Sequence, residues 1–562
     1  MSRPRCHGGA ASAREQVLTP CEAARFRAKL GLMQVVARSR MGIVCAVEGL
    51  ALLAACGLEV ACGAGGRADA GALAGGGGSA GGGGGATLGG EATNEAGTSS
   101  GTGGSTLPAG ACPALAPAKD GHGVSALAIA RAYQLLGMAA RCDGAFAVVG
   151  EGSEVALSAQ AGATLTSTAI PMPAPSESAR VKLWVASFDS AGVANWVSAF
   201  WSGQTDGSGV DARPALFADG SLLVGGVYAG TGTFAVGQAS EKTLGGTASM
   251  SPQAYIARYD SRGELSWARG ISEGQSTRNN RTVGVATGND GTSYALLQIG
   301  DPTPAGVVLA PGELDLQLIG GDLALVALDT KGLFTRAVRI THASTSARIA
   351  IATLADGSLS FVAQASAGAT IAPGTASEMP VTQSGDVLLR FSPELTFEAA
   401  VALTRGTFAP LDDGSVITGR NDGAVTRTTG DGKPDWSVQV SHPALTGVTH
   451  LTGLEDGSAW VWGELGAKPG KLTLSEQSSS PISLDTTADT QSFVARIGAD
   501  GVPSWVVPVF GARNLFLTDM VGTRASLILG GYTMVAGTTT FGSDAASATA
   551  SGPSVMLARL GP

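Results

Sequence analysis

Histidine is a residue type well suited to chemistry at neutral pH, because its imidazole can be a metal ligand or a general acid or base. The chain has five, and none stands in an H-E-x-x-H or other two-histidine spacing typical of a zinc site. His442 and His450 flank Pro443 at a distance of eight residues. We interpret both as exposed loop residues. The chain also lacks a G-x-S-x-G nucleophile elbow and a phosphate-binding Gly-Lys-Ser/Thr loop.

Two adjacent acid pairs, Asp412-Asp413 and Glu455-Asp456, could bind a cation. Calcium prefers oxygen ligands, but the full D-x-[DN]-x-[DN]-G loop with its distal glutamate is absent. Aspartate is also favoured in turns, where its carboxylate accepts hydrogen bonds from its own backbone. The turn interpretation is favoured, so no cofactor is expected and calcium is the alternative.

Arginine and tryptophan recur at fixed places. The arginines follow a φ-A-R-φ or similar pattern, where φ is apolar, and we interpret them as strand residues, with binding of an anionic ligand as the alternative. They are Arg258, Arg390, Arg496 and Arg559. The tryptophans suit packing between adjacent sheets better than stacking on sugars. They are Trp196, Trp267, Trp436 and Trp505.

The charge is unevenly distributed. The net charge is −9, but residues 1–40 carry eight Lys or Arg against two Glu, which leaves −15 for residues 41–562. An acidic body repels a phosphate backbone, so nucleic acid is not expected as a partner.

One short sequence motif recurs along the chain and indicates which structural elements carry these residues. An Asp-Gly turn opens an apolar run at Asp143, Asp219, Asp290, Asp356, Asp413 and Asp456, and a degenerate copy begins at Arg524. A second half follows each turn, with a strand, a Gly turn and a strand that often begins with Trp, as in residues 254–267. Such self-similarity indicates one supersecondary unit used repeatedly.

Each unit predicts four short antiparallel strands. Apolar residues alternate with small or polar ones, the Asp-Gly turns suit hairpins, and Gly accounts for 83 residues. Insertions fall between the two halves, and the closest turns, Asp413 and Asp456, are 43 residues apart. We therefore predict an all-β protein, a seven-bladed β-propeller of four-stranded blades. A series of β-sandwiches is the alternative.

The units also resemble the β-propeller repeats of bacterial secreted and surface proteins of the myxobacterial type. In that pattern a Gly-rich apolar strand leads through a variable insertion to an A-φ-V-A-R-φ-D-x-x-G-x-x-x-W hairpin. Residues 225–267 fit well, whereas the units with Phe334 and Phe397 in place of Trp fit loosely. The resemblance implies a secreted or surface protein and covers the chain from about residue 123.

The last unit stops at Leu560 without its Trp hairpin. We predict that the N-terminal segment 125–140 supplies the missing outer strand and closes the ring, because closure removes exposed sheet edges. Ile129, Tyr133, Leu136 and Ala140 stand at helical spacing, so a short helix over residues 123–141 is the alternative.

The N-terminal region predicts export. Arg38 and Arg40 precede an apolar run over residues 41–55 that is typical of a secretory signal and ends in Leu53-Ala-Ala-Cys56. This ending resembles a bacterial lipobox, which implies a lipid-modified Cys56, with Cys62 a weaker candidate and a plain signal peptide the alternative. We assign residues 1–55 to the signal region, of which 1–40 are an over-extended start. Residues 56–115 form a disordered Gly-rich tether and 116–562 the propeller.

Seven cysteines are present, none after Cys142 and no two in C-x-x-C spacing. If the N-terminus is processed, Cys112 and Cys142 remain, either as a disulfide in an oxidising compartment or as two free thiols.

We therefore expect an exported lipoprotein, anchored to the outer membrane on its periplasmic or cell-surface side. Its propeller is expected to be monomeric and to act as a binding or scaffolding module for a protein or glycan ligand. No catalytic or metal-binding residue is assigned. The alternative is a propeller enzyme, a hydrolase, lyase or quinone-dependent dehydrogenase, with its site on the axial channel face.

Overall fold

The structure, a computed structural model, describes residues 125–160, 169–170, 181–190, 192–202, 212–245, 252–271, 280–300, 307–314, 316–345, 351–476, 480–511, 515–523, 526–533, 535–541, 546–550 and 554–560. These residues form strands and turns and contain no helix. Accordingly, no helix long and apolar enough to cross a membrane is found among them. The predicted signal region, Cys56, the tether and Cys112 lie outside the described residues.

The strands follow one another in chain order. The first thirteen are β1 (Ser125–Ala140), β2 (Phe146–Gln160), β3 (Ala169–Ile170), β4 (Val181–Phe188), β5 (Ala194–Ser202), β6 (Ala212–Leu216), β7 (Leu222–Ala229), β8 (Gly232–Phe234), β9 (Lys242–Leu244), β10 (Pro252–Tyr259), β11 (Leu265–Gly270), β12 (Arg281–Thr287) and β13 (Ser293–Gln298). The next thirteen are β14 (Val307–Leu309), β15 (Leu316–Leu318), β16 (Leu323–Leu328), β17 (Phe334–Ile340), β18 (Ala343–Ser344), β19 (Ala352–Thr353), β20 (Leu359–Ala365), β21 (Thr370–Ile371), β22 (Met379–Pro380), β23 (Gly385–Phe391), β24 (Phe397–Leu403), β25 (Thr407–Pro410) and β26 (Val416–Gly419). The last thirteen are β27 (Ala424–Thr428), β28 (Pro434–Ser441), β29 (Leu445–Gly453), β30 (Ala459–Leu465), β31 (Gly470–Glu476), β32 (Ile482–Thr486), β33 (Thr490–Ile497), β34 (Pro503–Phe510), β35 (Leu515–Gly522), β36 (Leu527–Thr533), β37 (Gly537–Phe541), β38 (Ala546–Ala550) and β39 (Ser554–Leu560).

The strands build a seven-bladed β-propeller in which each blade has four antiparallel strands, called a to d from the axis outward. Blade 1 consists of the second half of β1 with β2, β4 and β5; blade 2 of β6, β7, β10 and β11; blade 3 of β12, β13, β16 and β17; blade 4 of β18 and β19 with β20, β23 and β24; blade 5 of β25 to β28; blade 6 of β29, β30, β33 and β34; and blade 7 of β35, β36, β39 and the first half of β1. Strand a is innermost, since β1 contacts β6 and β35, β6 contacts β12, and β29 contacts β25 and β35.

Seven apolar clusters hold the ring together, one between each pair of neighbouring blades. The cluster between blades 7 and 1 joins Leu557 and Ile528 to Val148 and Trp184. A row of seven sheets would need six such interfaces, so the seventh shows closure. The predicted propeller is thus confirmed, and the alternative of separate β-sandwiches is wrong.

The chain ends close the ring as predicted. Residues 125–130 of β1 pair antiparallel with β39, from Ser125 opposite Arg559 to Ala130 opposite Ser554. The other edge of β1 pairs with β2, so β1 lies between two strands. The helical alternative for residues 123–141 is wrong over β1, because ladder hydrogen bonds on both edges outweigh a local helical spacing.

The Asp-Gly motifs form the turns between strands a and b. In blade 2 the Asp219 carboxylate accepts the Ser221 N–H at 2.8 Å and the Ser221 hydroxyl at 2.6 Å. Gly220 has a φ of 83°, in the left-handed region that glycine adopts without strain. The same carboxylate-to-backbone bond recurs at Asp143, Asp290, Asp356, Asp413 and Asp456. The turn interpretation of these aspartates is confirmed.

The insertions are hairpins between strands b and c, and they lie against the outer strand of the preceding blade. The hairpins β8–β9, β21–β22, β31–β32 and β37–β38 extend β5, β17, β28 and β34 in this way. The second half of β2, with β3, does the same for the first half of β1 in blade 7. The hairpin β14–β15 lies beside β11 through an Arg269–Glu313 ion pair, without a shared ladder. Blade 5 has no such hairpin, so β24 of blade 4 is the last strand of its sheet.

Candidate functional site

The recurrent tryptophans pack between blades, as favoured from the sequence. Three cover the glycine of the next blade's c–d turn, in the pairs Trp196 and Gly263, Trp267 and Gly332, and Trp436 and Gly501. The Trp267 indole N–H also donates to the Thr330 carbonyl at 3.1 Å. Trp505 stands edge-on to Trp460 of its own blade, with ring centroids 5.4 Å apart, and packs against the apolar cluster between blades 6 and 7. These rings therefore hold neighbouring blades together.

The recurrent arginines lie on strand c beside the a–b turn of their own blade, and Arg258 and Arg559 also donate to a carbonyl of the next blade. This end of the propeller, which carries the a–b and c–d turns, is called the turn face. Arg258 donates to the Gly291 carbonyl of blade 3 at 2.9 Å and to the Ser221 hydroxyl at 3.3 Å. Its guanidinium also lies 3.9 Å from the centroid of the Phe217 ring. The prediction that these arginines are strand residues is confirmed.

A fifth arginine of this set was not recognised from the sequence. Arg427 donates to the Ala499 carbonyl of blade 6 at 3.1 Å and to the Ser415 hydroxyl at 3.1 Å, and it pairs with Asp413. It was missed because Thr426 precedes it where the pattern has alanine. Its place opposite Trp436 matches that of Arg258 opposite Trp267.

Blade 1 breaks this pattern at Ser187, which lies opposite Trp196 where blades 2, 5 and 6 place an arginine opposite a tryptophan. Blade 3 has Ala327 at the same register position, and its partner Arg336 reaches the Pro393 carbonyl of blade 4 at 2.8 Å. In blade 1 the replacement is Arg141, which approaches from strand a and donates to the Ala218 carbonyl at 3.2 Å. The volume that a strand-c arginine would fill is left open.

The result is a cleft of about 570 Å³ on the turn face between blades 1 and 2. Ser187, only 6% exposed, is one of its lining residues. Its walls carry charged and hydrogen-bonding side chains, including Arg141, Asp143, Asp189, Asn195 and Arg262. Its volume lies within the range of about 300 to 1,000 Å³ found for small-ligand sites, and its lining is more polar than is usual for them.

The charges in the cleft occur in pairs. Burial raises the pKa of the Asp143 carboxyl, but hydrogen bonds from the Arg141 side chain and the Ala145 N–H outweigh that effect and hold the pKa below its ordinary value. Asp143 is therefore ionised at neutral pH. Asp189 accepts the Val193 N–H at 2.8 Å. The cleft thus offers fixed acceptors and donors side by side without a dominant charge.

One buried donor lines this cleft. The Trp196 indole N–H is buried without a hydrogen-bond partner within the described part of the chain. The Trp267 and Trp436 indoles donate to Thr330 and Ala499, at 3.1 and 3.0 Å. The corresponding residue for Trp196 is Ser261, which also lines the cleft. This bond between blades 1 and 2 is not made.

The remaining candidate residues lie apart from the cleft. His442 contacts the Thr486 hydroxyl at 2.9 Å and accepts the Ala444 N–H. His442 lies in the loop before β29, as interpreted, but it is half-buried and not exposed. His450 lies on β29 and is half-buried, so its interpretation as an exposed loop residue is wrong. The alternation of apolar and polar residues in β29 is interrupted by a bulge between Val448 and His450. For this reason the sequence pattern did not indicate that His450 lies on a strand. Among the described residues, no three His, Cys, Asp or Glu are grouped as metal ligands.

Charged side chains on the inner strands bond to neighbouring blades. Asp519 of blade 7 accepts the Met138 N–H of blade 1 at 2.9 Å, and Arg213 of blade 2 donates to the Leu136 carbonyl. Blade 1 is thereby fixed on both sides.

Cys142 is disulfide-bonded. Cys112 lies outside the described residues, so the pairing of Cys112 with Cys142 stays a prediction.

Comparisons with known proteins give similarities at low identity. No protein-family model and no curated protein matches the sequence, so the resemblance to the secreted bacterial repeats stays an expectation. A protein of unknown function from Bacteroides caccae is 12% identical, with 58% of this chain and 89% of that chain covered and a TM-score of 0.29. One from Dyadobacter fermentans is 10% identical, with 78% and 99% covered and a TM-score of 0.31.

The acylaminoacyl peptidase of Pyrococcus horikoshii is also similar. It is 10% identical, with 74% of this chain covered and a TM-score of 0.33. This chain spans 52% of that peptidase. TM-scores this low carry no argument about the activity of the present protein.

Proposed function

We propose that this protein is an exported lipoprotein whose propeller binds a hydroxyl-rich ligand, a glycan, in the cleft between blades 1 and 2. The cleft around Ser187 carries the proposal. Its neighbouring carboxylates, guanidinium groups and amide suit sugar hydroxyls, each of which both donates and accepts hydrogen bonds. The seven interfaces of the ring keep the walls rigid, which reduces the entropy lost on binding.

Filling the cleft tests the binding site. Ser187→Arg introduces the residue type found at this position in five of the other six blades, and it is expected to weaken binding at least about tenfold because the side chain occupies the cleft. Ser187→Ala is the matched control, since it leaves the cleft open. Binding of neutral and acidic oligosaccharides to the full chain is measured by isothermal titration calorimetry, with the unfolding temperature as a check on folding.

Three results would contradict the proposal. Failure of every oligosaccharide to bind would remove the ligand class, and equal binding by Ser187→Arg and the native chain would remove the site. Release of shortened sugars during the titration would indicate a propeller enzyme instead.

The export half of the proposal has a separate test. The apolar run before Leu53-Ala-Ala-Cys56 supports acylation of Cys56, which would tether the propeller to the outer membrane on its periplasmic or cell-surface side. Mass analysis of the mature protein is expected to show a diacylglyceryl group on an N-terminal Cys56. A mature chain that begins at Met1 would contradict export.

A further inference from the structure

The interface between blades 4 and 5 has the smallest apolar core of the ring. Among the described residues, its cluster contains three buried apolar side chains, Val362 and Leu388 of blade 4 and Val416 of blade 5. Each of the other six clusters contains at least ten. Because the burial of apolar area is the main favourable contribution to such packing, this interface holds its two blades together least.

The two faces that meet at this interface are partly polar. Side chains two residues apart on a strand share a face, so Asp386 lies on the same face of blade 4 as Leu388. On blade 5, Thr418 and Thr426 stand in one cross-strand row with Phe408, which packs against the cluster. Residues in one such row also share a face. Polar side chains therefore occupy positions that an apolar core would otherwise fill.

Asp386 places a carboxyl group in this interface without a partner. It is only 8% exposed, and within the described part of the chain no hydrogen bond or ion pair to its side chain is found. Burial raises the pKa of the carboxyl above its ordinary value, and the charge of Arg405 offsets that effect only in part. Blade 3 has the buried Leu323 at the same register position. A buried carboxyl without a partner costs free energy, so Asp386 weakens the contact between the blades.

The side chains that link other blades do not link these two. Ala399 stands opposite Arg390, in the place that Trp267 has in blade 2. Arg390 pairs with Asp356 and Glu398 of its own blade. Between the described residues of blades 4 and 5 there is no side-chain hydrogen bond or ion pair, and blade 5 has no hairpin that extends β24. Each of the contacts that reinforce other interfaces is thus missing here.

We propose that the ring opens reversibly between blades 4 and 5 while its other interfaces stay closed. Local opening occurs where the least free energy is lost, and the missing contacts place that point here. Residues 404–406 connect β24 to β25 at the end opposite the turn face, so the gap widens at the turn face. The opening gives a lateral path to the inner strands of both blades. It is independent of the proposed glycan site, which lies between blades 1 and 2.

Thiol labelling measures the opening. Val416→Cys places a thiol in this interface, and Val461→Cys is the matched control at a fully buried valine of strand b that faces blade 5 from blade 6. In the folded full chain, Val416→Cys is expected to react with iodoacetamide at least about tenfold faster, because a local opening exposes it. Mass spectrometry of the labelled peptides separates these thiols from the native cysteines. Equal rates for the two variants would overturn the proposal.

Asp386→Leu tests the cause of the opening. It introduces the residue that blade 3 has at this position, and it is expected to slow the labelling of Val416→Cys at least about threefold without changing that of Val461→Cys. Asp485→Leu, at an exposed aspartate of β32, is the control and leaves both rates unchanged. An unchanged labelling rate of Val416→Cys in the presence of Asp386→Leu would contradict the proposal.

The unfolding temperature of Asp386→Leu gives a readout that needs no added cysteine. It is expected to exceed that of the native chain by at least about 2 °C in scanning calorimetry, because an apolar side chain replaces a buried carboxyl without a partner. An equal or lower unfolding temperature would show that the carboxyl does not weaken the interface, and the proposal would then fail.

Discussion

At the scale of single residues, the contacts between blades depend on which side chain occupies one repeated position. An arginine at that position on strand c bridges to the next blade, as Arg258 does. A serine at the same position leaves the cleft at Ser187. Glycine in the c–d turn has the complementary role, since its missing Cβ gives a tryptophan room to pack.

The contact between Trp267 and Gly332 gives a stability prediction. A Cβ on residue 332 would lie 2.6 Å from Trp267 Cδ2, and the φ of 80° is unfavourable for alanine. Gly332→Ala is therefore expected to lower the free energy of unfolding by about 2 to 4 kcal/mol. The midpoint of urea unfolding, followed by tryptophan fluorescence, measures the loss.

Gly321→Ala is the control for backbone strain alone. Gly321 has a φ of 85°, and a Cβ there meets nothing within 4 Å. The expected cost is about 1 kcal/mol. Equal losses in the two variants would show that the tryptophan contact does not stabilise the blade interface.

The sequence alone predicted many of these residue roles. The aspartates of the Asp-Gly turns and the packing of the tryptophans follow from local chemistry, and the structure confirms both. The cleft was not predicted, although Ser187 visibly interrupts the Ala-Arg pattern. An interruption shows that a side chain is missing. It cannot show that the space stays open, because Arg336 closes the equivalent gap beside Ala327 from the neighbouring strand.

At the scale of elements, local patterns predicted which segments are strands better than they predicted which strands pair. The insertions were correctly placed between the two halves of each unit. That they extend the outer strand of the preceding blade was not predicted, because the pairing joins strands of two different blades, as β5 and β8 show. Similarly, helical spacing over β1 competed with strand formation until its two partners, β2 and β39, were known.

The first half of β1 provides a test of this pairing. Removal of residues 1–131 deletes the segment that pairs with β39 and leaves the edge of β39 open. The unfolding temperature is expected to fall at least about 5 °C below that of a chain lacking residues 1–124. Differential scanning calorimetry of the two shortened chains measures the difference.

The shorter deletion is the matched control. Both chains lack Cys56 and Cys112, so any contribution from these residues cancels. Equal unfolding temperatures would mean that the pairs between β1 and β39 add nothing to stability.

At the scale of the whole molecule, the repeat predicted the ring and its closure, because seven near-equal units with apolar faces bury them all only in a circle. The uneven covering of the ring was not predicted. Its signal was the 43-residue spacing between Asp413 and Asp456. That spacing indicates that the fifth unit is short. It leaves the outer strand of blade 4 uncovered, because each hairpin covers the blade before its own.

Ring closure also sets the order in which the molecule can be completed. The segment 125–130 is translated before every other described strand of the ring, whereas its partner β39 follows all of them. Folding of the earlier blades cannot complete the seventh interface, so the nascent chain keeps an unpaired strand edge until β39 has been synthesised. A ribosome-bound chain that stops short of residue 554 therefore still exposes one edge of this segment to other strands.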